Sequence, residues 1–575
     1  MLAPTLACRA PRRHVGRMKI PVPLRRCLFA LIALAAASGL SVLMLRALLP
    51  GGWTGAKLVM LLSFLGTAPW TGICVGNGLI GFLLLVFNRD PVRATFPVED
   101  RLPFNGPPPR TAIALTIRNE DMASVLPAMR RLLDGLDQTG HGSDFALCVL
   151  SDTPAGGAAE AEERAVAAFR AADPDPGRIR YRRRTENTGF KAGNIMEFLD
   201  HHAEGFELML TLDADSEMSA AAVLRLARAM QAEPRLGIVQ HLTVGLPAAS
   251  AFPRLFQFGM RAGMRSWAVG QAWWQDAAGP YWGHNAIVRI APFRQHCRLE
   301  PLADGRAILS HDQVEAARMA AAGWAVRVLA EEAGSQEANP PAMPEFMSRD
   351  ARWLAGNFQY FALLRLPGFA PMGRWQLVQA ILLFAGAPLY LLFLLAAAWA
   401  AATDTVSFPA GPVLAVTLAW PGMLYLPKLL AYLEILLCAR KSRAYGGRWR
   451  FLAGMGAETL FTLLLDATAG VSKTLAILRL RFGFQERWAA QNRAGRGVTW
   501  AEAARLLWPH TLVGLLVFVA FGMAGWRAVL WAIPFAGGLL VAIPLCVLTA
   551  DAGFGRWLRR RGIAAVPEEI RQSAE

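Results

Sequence analysis

Residues 210–219 read LTLDADSEMS, an apolar run that stops at Asp213 and is followed by Ala214 and Asp215. Residues i and i+2 of an extended chain face alike, so both carboxylates sit near one point. Two such groups repel each other. A divalent cation, Mg²⁺ or Mn²⁺, would cancel the repulsion and bridge to a diphosphate. Alone, the pattern fits a turn equally well, because Asp is common there. Other residues share its setting. Asp152 ends the apolar run FALCVL, and Asn119 and Glu120 follow the run TAIALTI. Lys191 stands between Gly189 and Gly193 in ENTGFKAGNIMEFL. Glycine lets backbone approach an anion and lysine brings a mobile charge, although a plain helix start reads the same way. Asp312 opens the amphipathic stretch of ILSHDQVEAARM, as a helix cap or as a general base for an attacking hydroxyl. Arg349, Arg352 and Trp353 fall at helical spacing in MSRDARWLAGNFQYF. They suit phosphate binding and sugar stacking, or one face of a helix on a membrane. His284 and Asn285 lie in the polar, aromatic turn GPYWGHNAIVR.

The elements around these residues explain why they would meet. Between 88 and 370 short strand-like runs (111–117, 145–150, 178–184, 206–212) alternate with helix-like ones (121–136, 157–172). Such alternation predicts an α/β domain with a largely parallel sheet. Ligands bind beyond the carboxyl ends of such strands. Asp152, Asp213 and the residues after Ile117 all fall at those ends, which predicts one shared site.

The rest of the chain reads as membrane. Of the 575 residues, 54% are hydrophobic and 18% charged, which excludes an ordinary soluble enzyme. Apolar runs at 27–49 and 58–87 predict an anchored hairpin rather than a cleaved signal peptide, because a second run follows at once. Residues 1–26 carry seven Arg or Lys and no acid, placing them in the cytoplasm. Two crossings return the chain to the cytoplasm for the domain 88–370. Spans are expected in pairs within 371–450 and 510–550, with a cytoplasmic tail at 551–575. The loop AATDTVSFP suits the outside, and the basic ARKSRAYGGRWR suits the inside. The apolar stretch 451–479 holds Glu458, Asp466 and Lys473. It is interfacial, re-entrant or crosses twice, giving six or eight spans. Its ionisable residues either pair and snorkel, or wall a polar path with Lys428 and Glu434. The net charge of +16 suits anionic lipid or an acidic protein partner rather than nucleic acid. No two of the seven cysteines have CxxC spacing, so neither a metal knuckle nor a disulfide framework is expected.

In order, Asp152, Asp213-Ala-Asp215, His311-Asp312 and Arg349-x-x-Arg352-Trp353 resemble the motif series of family 2 processive glycosyltransferases. The chain has SHD and Arg349 where cellulose synthases have TED and Gln. Those departures, with NTGFKAGNI, LDADSEM, GHNAIVR, LSHDQVEAARM, RWLAGNFQYF and GVTWAEA, resemble the glucans biosynthesis glucosyltransferase H family. The resemblance implies a GT-A-type domain set between transmembrane helices of the bacterial inner membrane. It implies inverting transfer of glucose from UDP-glucose to a β-1,2-glucan destined for the periplasm. Asn119, Glu120, Asp152, Lys191, Asp213, Arg349 and Arg352 would bind the UDP-sugar. Asp213 and Asp215 would share the metal, and Asp312 would be the base. His284, Asn285, His311 and Trp353 would meet the acceptor. Acyl carrier protein and periplasmic glucan-modifying proteins are the implied partners. The alternatives are a synthase of another polysaccharide, or a membrane scaffold with an inactive transferase domain. All four carboxylates of the series are present, which counts against the scaffold.

Overall fold

The computed structural model describes residues 20–102, 106–403, 409–483 and 495–572. The expectations for residues 1–19, and for the centre of the outside loop at 404–408, lie outside the described residues. Among the described residues, ten strands form in the predicted α/β region. They are β1 (Thr111–Ile117), β2 (Phe145–Ser151), β3 (Ile179–Arg183), β4 (Leu208–Asp213) and β5 (Ser216–Met218). Then come β6 (Leu236–His241), β7 (Val244–Gly245), β8 (Ala286–Arg289), β9 (Ala325–Leu329) and β10 (Ser335–Glu337).

Seven strands make the main sheet, in the order β3-β2-β1-β4-β8-β6-β9. All neighbouring pairs are parallel except those of β8, which runs antiparallel to β4 and β6. The largely parallel sheet expected from the sequence is therefore present. Helices cover both faces, so strands such as β2 are buried throughout. The register pairs Thr116 with both Leu150 and Asp213, and Ile117 with Ser151. The ends of β1, β2 and β4 thus align, and the residues after them open onto one edge. A small second sheet, β5-β10-β7, lies beyond that edge, with Glu337 opposite Ser216.

Among the described residues, five helices are long and apolar enough to cross a membrane: Val22–Leu48, Gly55–Phe87, Pro371–Thr403, Arg448–Arg481 and Trp500–Met523. Two bent pairs, Ala410–Leu424 with Leu426–Leu437 (69°) and Trp526–Leu540 with Ala542–Ala550 (55°), raise the count to as many as seven. The first bend follows Pro421 and precedes Pro427, and proline cannot continue the hydrogen-bond ladder. The stretch 451–479 lies within one continuous helix, so it does not double back.

The α/β region is fused to the long apolar helices rather than set beside them. The helix Arg265–Gln275 lies against Gly55–Phe87 with glycine on each side. A Cβ at Gly81 would sit 1.7 Å from the Ser266 carbonyl oxygen, and one at Gly270 would sit 2.1 Å from that of Asn77. Trp274 Nε1 donates to Asn77 Oδ1 at 2.8 Å, and its ring stacks on Phe29 at 4.0 Å. Cys27, Cys74, Cys148, Cys297 and Cys546 are free thiols.

Candidate active site

One cavity of about 1110 Å³ gathers the residues singled out in the sequence. It exceeds the ~300–1,000 Å³ usual for a small-ligand pocket, which leaves room for two substrates. Asn119, Glu120, Asp152, Lys191, Asp213, Asp215, His284, His311, Asp312, Arg349, Arg352 and Trp353 all line it. Asn285 alone among the predicted residues does not. Its side chain is buried behind the wall, where Nδ2 donates to Ser335 Oγ at 2.9 Å and to the Gln336 carbonyl at 3.2 Å. The backbone at Asn285 has φ 51°, a conformation that asparagine tolerates better than most residues.

The strand ends deliver the first group. Asp152 follows β2 and is gripped by both arms of Arg184, with Nη2 to Oδ2 at 2.9 Å. Arg184 also binds the Thr188 carbonyl at 2.8 Å, the Phe190 carbonyl at 2.7 Å and Asn187 Oδ1 at 2.9 Å. One arginine therefore ties the NTGF loop to the end of β2. The Asn119 backbone, at φ 55°, donates to Thr153 Oγ1 at 2.9 Å, closing the first strand end onto the second.

The second group centres on Asp213. Lys191, in the first turn of the helix Phe190–His201, pairs with Asp213 and donates to the Gly283 carbonyl at 2.9 Å. Gly283, at φ +82°, is a close neighbour of three functional groups. A Cβ there would lie 3.5 Å from Asp312 Cβ, 3.7 Å from His311 Cε1 and 3.8 Å from Lys191 Nζ. The base candidate and the lysine that holds Asp213 thus meet at one glycine. The Asp213 and Asp215 carboxylates are hard oxygen donors, which fits Mg²⁺ or Mn²⁺ completed by diphosphate oxygens. Among the described residues, no three His, Cys, Asp or Glu side chains form a self-sufficient metal cluster.

Asp312 begins the helix Asp312–Ala321. Burial raises its carboxyl above the ordinary value, and Glu315 adds to the rise while His311 and Lys191 oppose it. Burial works against charge on His311, yet Glu315, 2.9 Å from its Nδ1, holds the imidazole above its usual value. A raised carboxyl suits a general base, because its proton affinity moves towards neutrality.

Sequence reasoning missed Glu337. It lines the cavity from β10, with Oε2 3.4 Å from His284 Nε2. Burial raises its carboxyl, with His284 and Arg349 opposing and Asp215 and Asp213 adding to the rise. Arg349 is buried, and its guanidinium lies 4.7 Å over the Trp353 ring. Arg118 and Gln376 also line the cavity and were not singled out.

Towards the membrane helices the wall includes Gln379, Tyr425, Lys428, Thr462 and Asp466. Lys428 donates to Glu458 Oε1 at 2.5 Å, and Tyr425 to Asp466 Oδ2 at 2.6 Å. Lys428 therefore belongs to a polar wall, as the sequence suggested. Glu434 does not line the cavity; it binds Lys441 and lies 3.2 Å from Arg265.

Two family models match this arrangement: glycosyl transferase family 2 over residues 113–297, and glycosyl transferase family group 2 over residues 208–432. A glucans biosynthesis glucosyltransferase H from Bradyrhizobium diazoefficiens is 34% identical over 539 residues, covering 90% of this chain and 71% of that protein. The chain belongs to the glucans biosynthesis glucosyltransferase H family. A second member, from Cupriavidus pinatubonensis, is 33% identical over 89% of this chain, which spans 62% of its length. A third, from Rhodopseudomonas palustris, is 32% identical over 97% of this chain and 79% of its own. For this glucosyltransferase H family member, a mannosyltransferase from Pyrobaculum calidifontis, solved with GDP-Man and Mn²⁺, is a distant structural neighbour. It aligns with a TM-score of 0.38 at 17% identity, over 64% of this chain and 98% of that one.

Proposed function

We propose that this protein transfers glucose from UDP-glucose, with inversion, to a growing β-1,2-glucan destined for the periplasm. Family membership supports the product. The observation that carries the chemistry is the single cavity in which Asp152, Asp213, Asp215, Lys191, Asp312, Arg349 and Arg352 converge.

Asp152, oriented by Arg184, and the Asn119–Glu120 turn hold the nucleotide. Lys191, Arg349 and Arg352 face the diphosphate and take up the charge that builds on it as the bond to C1 breaks. A divalent cation held by Asp213 and Asp215 would supply further charge neutralisation at that diphosphate. Asp312 removes the proton from the acceptor hydroxyl as its oxygen attacks C1. An α-linked donor then gives a β-linked product in one displacement, so one carboxylate base suffices and no second one is needed as nucleophile. Trp353 stacks against the acceptor sugar beside His284 and His311. Asn285 acts from behind, by fixing the turn that carries His284. The domain 88–370 works on the cytoplasmic side of the inner membrane, where UDP-glucose would be met. Acyl carrier protein and periplasmic glucan-modifying proteins enter this reading through the family alone.

The test is a synthesis assay. Protein purified into nanodiscs receives radiolabelled UDP-glucose and Mg²⁺, with acyl carrier protein in half of the samples. A labelled polymer destroyed by a β-1,2-glucan-specific hydrolase is the expected result. A polymer resistant to that hydrolase would overturn the linkage and favour another polysaccharide. Failure to bind UDP-glucose would overturn the donor.

A further inference from the structure

The sequence reads residues 551–575 only as a tail. In the structure its last described helix, Pro567–Gln572, is tied to the catalytic region. Glu569 accepts from Arg254 Nη1 at 2.7 and 2.9 Å, and Arg254 Nε donates to the Ile563 carbonyl at 2.8 Å. Arg254 is fully buried, and an arginine so placed is costly without such partners. Glu568 accepts both arms of Arg261, one at 2.9 Å. The approach is close in the backbone too: a Cβ at Gly555 would lie 2.3 Å from the Ala249 carbonyl oxygen.

These two arginines hold one segment, from the helix before it and from within it. Arg254 lies on the helix Ala251–Phe258, and Arg261 lies within the π-helical turn Gly259–Gly263 that follows it. Met260, Gly263 and Met264 line the cavity. On another side the turn presses on the polar wall, where a Cβ at Gly259 would lie 2.1 Å from Glu458 Oε1. Arg261 is also 3.7 Å from Glu332, which pairs with Arg265, which in turn reaches Glu434. Ion pairs therefore run from the tail, through the turn, to the membrane helix Leu426–Leu437. A π turn inside a helix is a rare geometry that concentrates at functional sites.

We propose that Glu568 and Glu569 are positioning residues. Through Arg261 and Arg254 they brace the π turn at the membrane end of the cavity, where a Cβ at Gly263 would lie 2.9 Å from Lys428 Cγ and where a product bound for the periplasm would leave. The effect on product rests on the glucan-synthase reading; the brace itself does not. The test compares the full-length protein with Glu568→Gln/Glu569→Gln by hydrogen exchange and by product length. Backbone amides of residues 255–266 should exchange about tenfold faster, with β1, β2 and β4 unchanged. The glucan should shorten at least about twofold while the KM for UDP-glucose is retained, because the brace acts on the exit side and not on the nucleotide. The conservative pair Glu568→Asp/Glu569→Asp, which keeps both carboxylates, should retain more of the protection and length than the glutamine pair. Unchanged exchange at 255–266, or a loss spread evenly over the chain, would overturn the brace. If the double variant fails to fold, Glu568→Gln alone gives the same two readings. A wild-type protein that makes no polymer would refute the glucan reading, while the exchange data would still decide the brace.

Discussion

At the residue scale, Asp312 carries the heaviest prediction. Asp312→Asn keeps the shape and removes the base, so kcat should fall by about 10²–10⁴ while the Kd for UDP is retained. Full turnover in a folded Asp312→Asn protein would dismiss the assignment. The pH profile follows from the same group. The base works ionised, and burial raises its proton affinity. The acid limb of kcat/KM should therefore lie above the ordinary aspartate value of about 3.9, with activity falling as pH drops through it. Glu337 gives a different split. It stands 3.4 Å from the His284 ring, whose other nitrogen faces Asn285 Oδ1 at 3.3 Å. Glu337→Gln should raise the acceptor KM several-fold, on the order of one lost charged contact, and leave donor binding nearly unchanged. Equal losses in donor and acceptor binding would point to a general collapse of the site.

At the element scale, the sequence is informative where one strand carries its own signal. The runs ending at Asp152 and Asp213 are apolar, bounded by polar turns, and fall within a residue or two of β2 and β4. Their alignment follows from parallel pairing, so the shared site is readable before any coordinates. Glu337 is not readable in this way. Its strand has three residues, reads SQE, and exists only because β5 and β7 flank it. Arg184 is hidden differently, as one more arginine in the basic run RIRYRRRT. Asn285 misleads because its side chain, though it touches His284 Nδ1, spends its amide on Ser335 and Gln336 behind the cavity wall. The stretch 451–479 looks divided by its charges, yet Glu458 and Asp466 find Lys428 and Tyr425, so one helix accommodates them. The glycine contact between Gly55–Phe87 and Arg265–Gln275 yields a stability prediction. Gly81→Leu forces a side chain where even a Cβ would be 1.7 Å from backbone, and should cost at least about 1–3 kcal/mol. A lowered thermal midpoint in detergent would report it; an unchanged midpoint would mean the two helices separate easily.

At the scale of the whole molecule, the cavity joins two environments. It begins among the ends of parallel strands and continues to Lys428 and Asp466 between apolar helices. Removal of divalent cations with a chelator should abolish turnover, and added Mg²⁺ or Mn²⁺ should restore it, because Asp213 and Asp215 need a partner to face a diphosphate together. Turnover that survives exhaustive chelation would assign charge neutralisation to Lys191, Arg349 and Arg352 alone. The same glycine seam has a practical consequence for anyone who wants the transferase in isolation. A fragment cut at the sequence boundaries 88 and 370 would leave Gly270 and Trp274 facing water where Gly81, Asn77 and Phe29 belong. The enzyme is thus not divisible at its most obvious borders. Any soluble version has to rebuild that face before the chemistry can be studied without lipid.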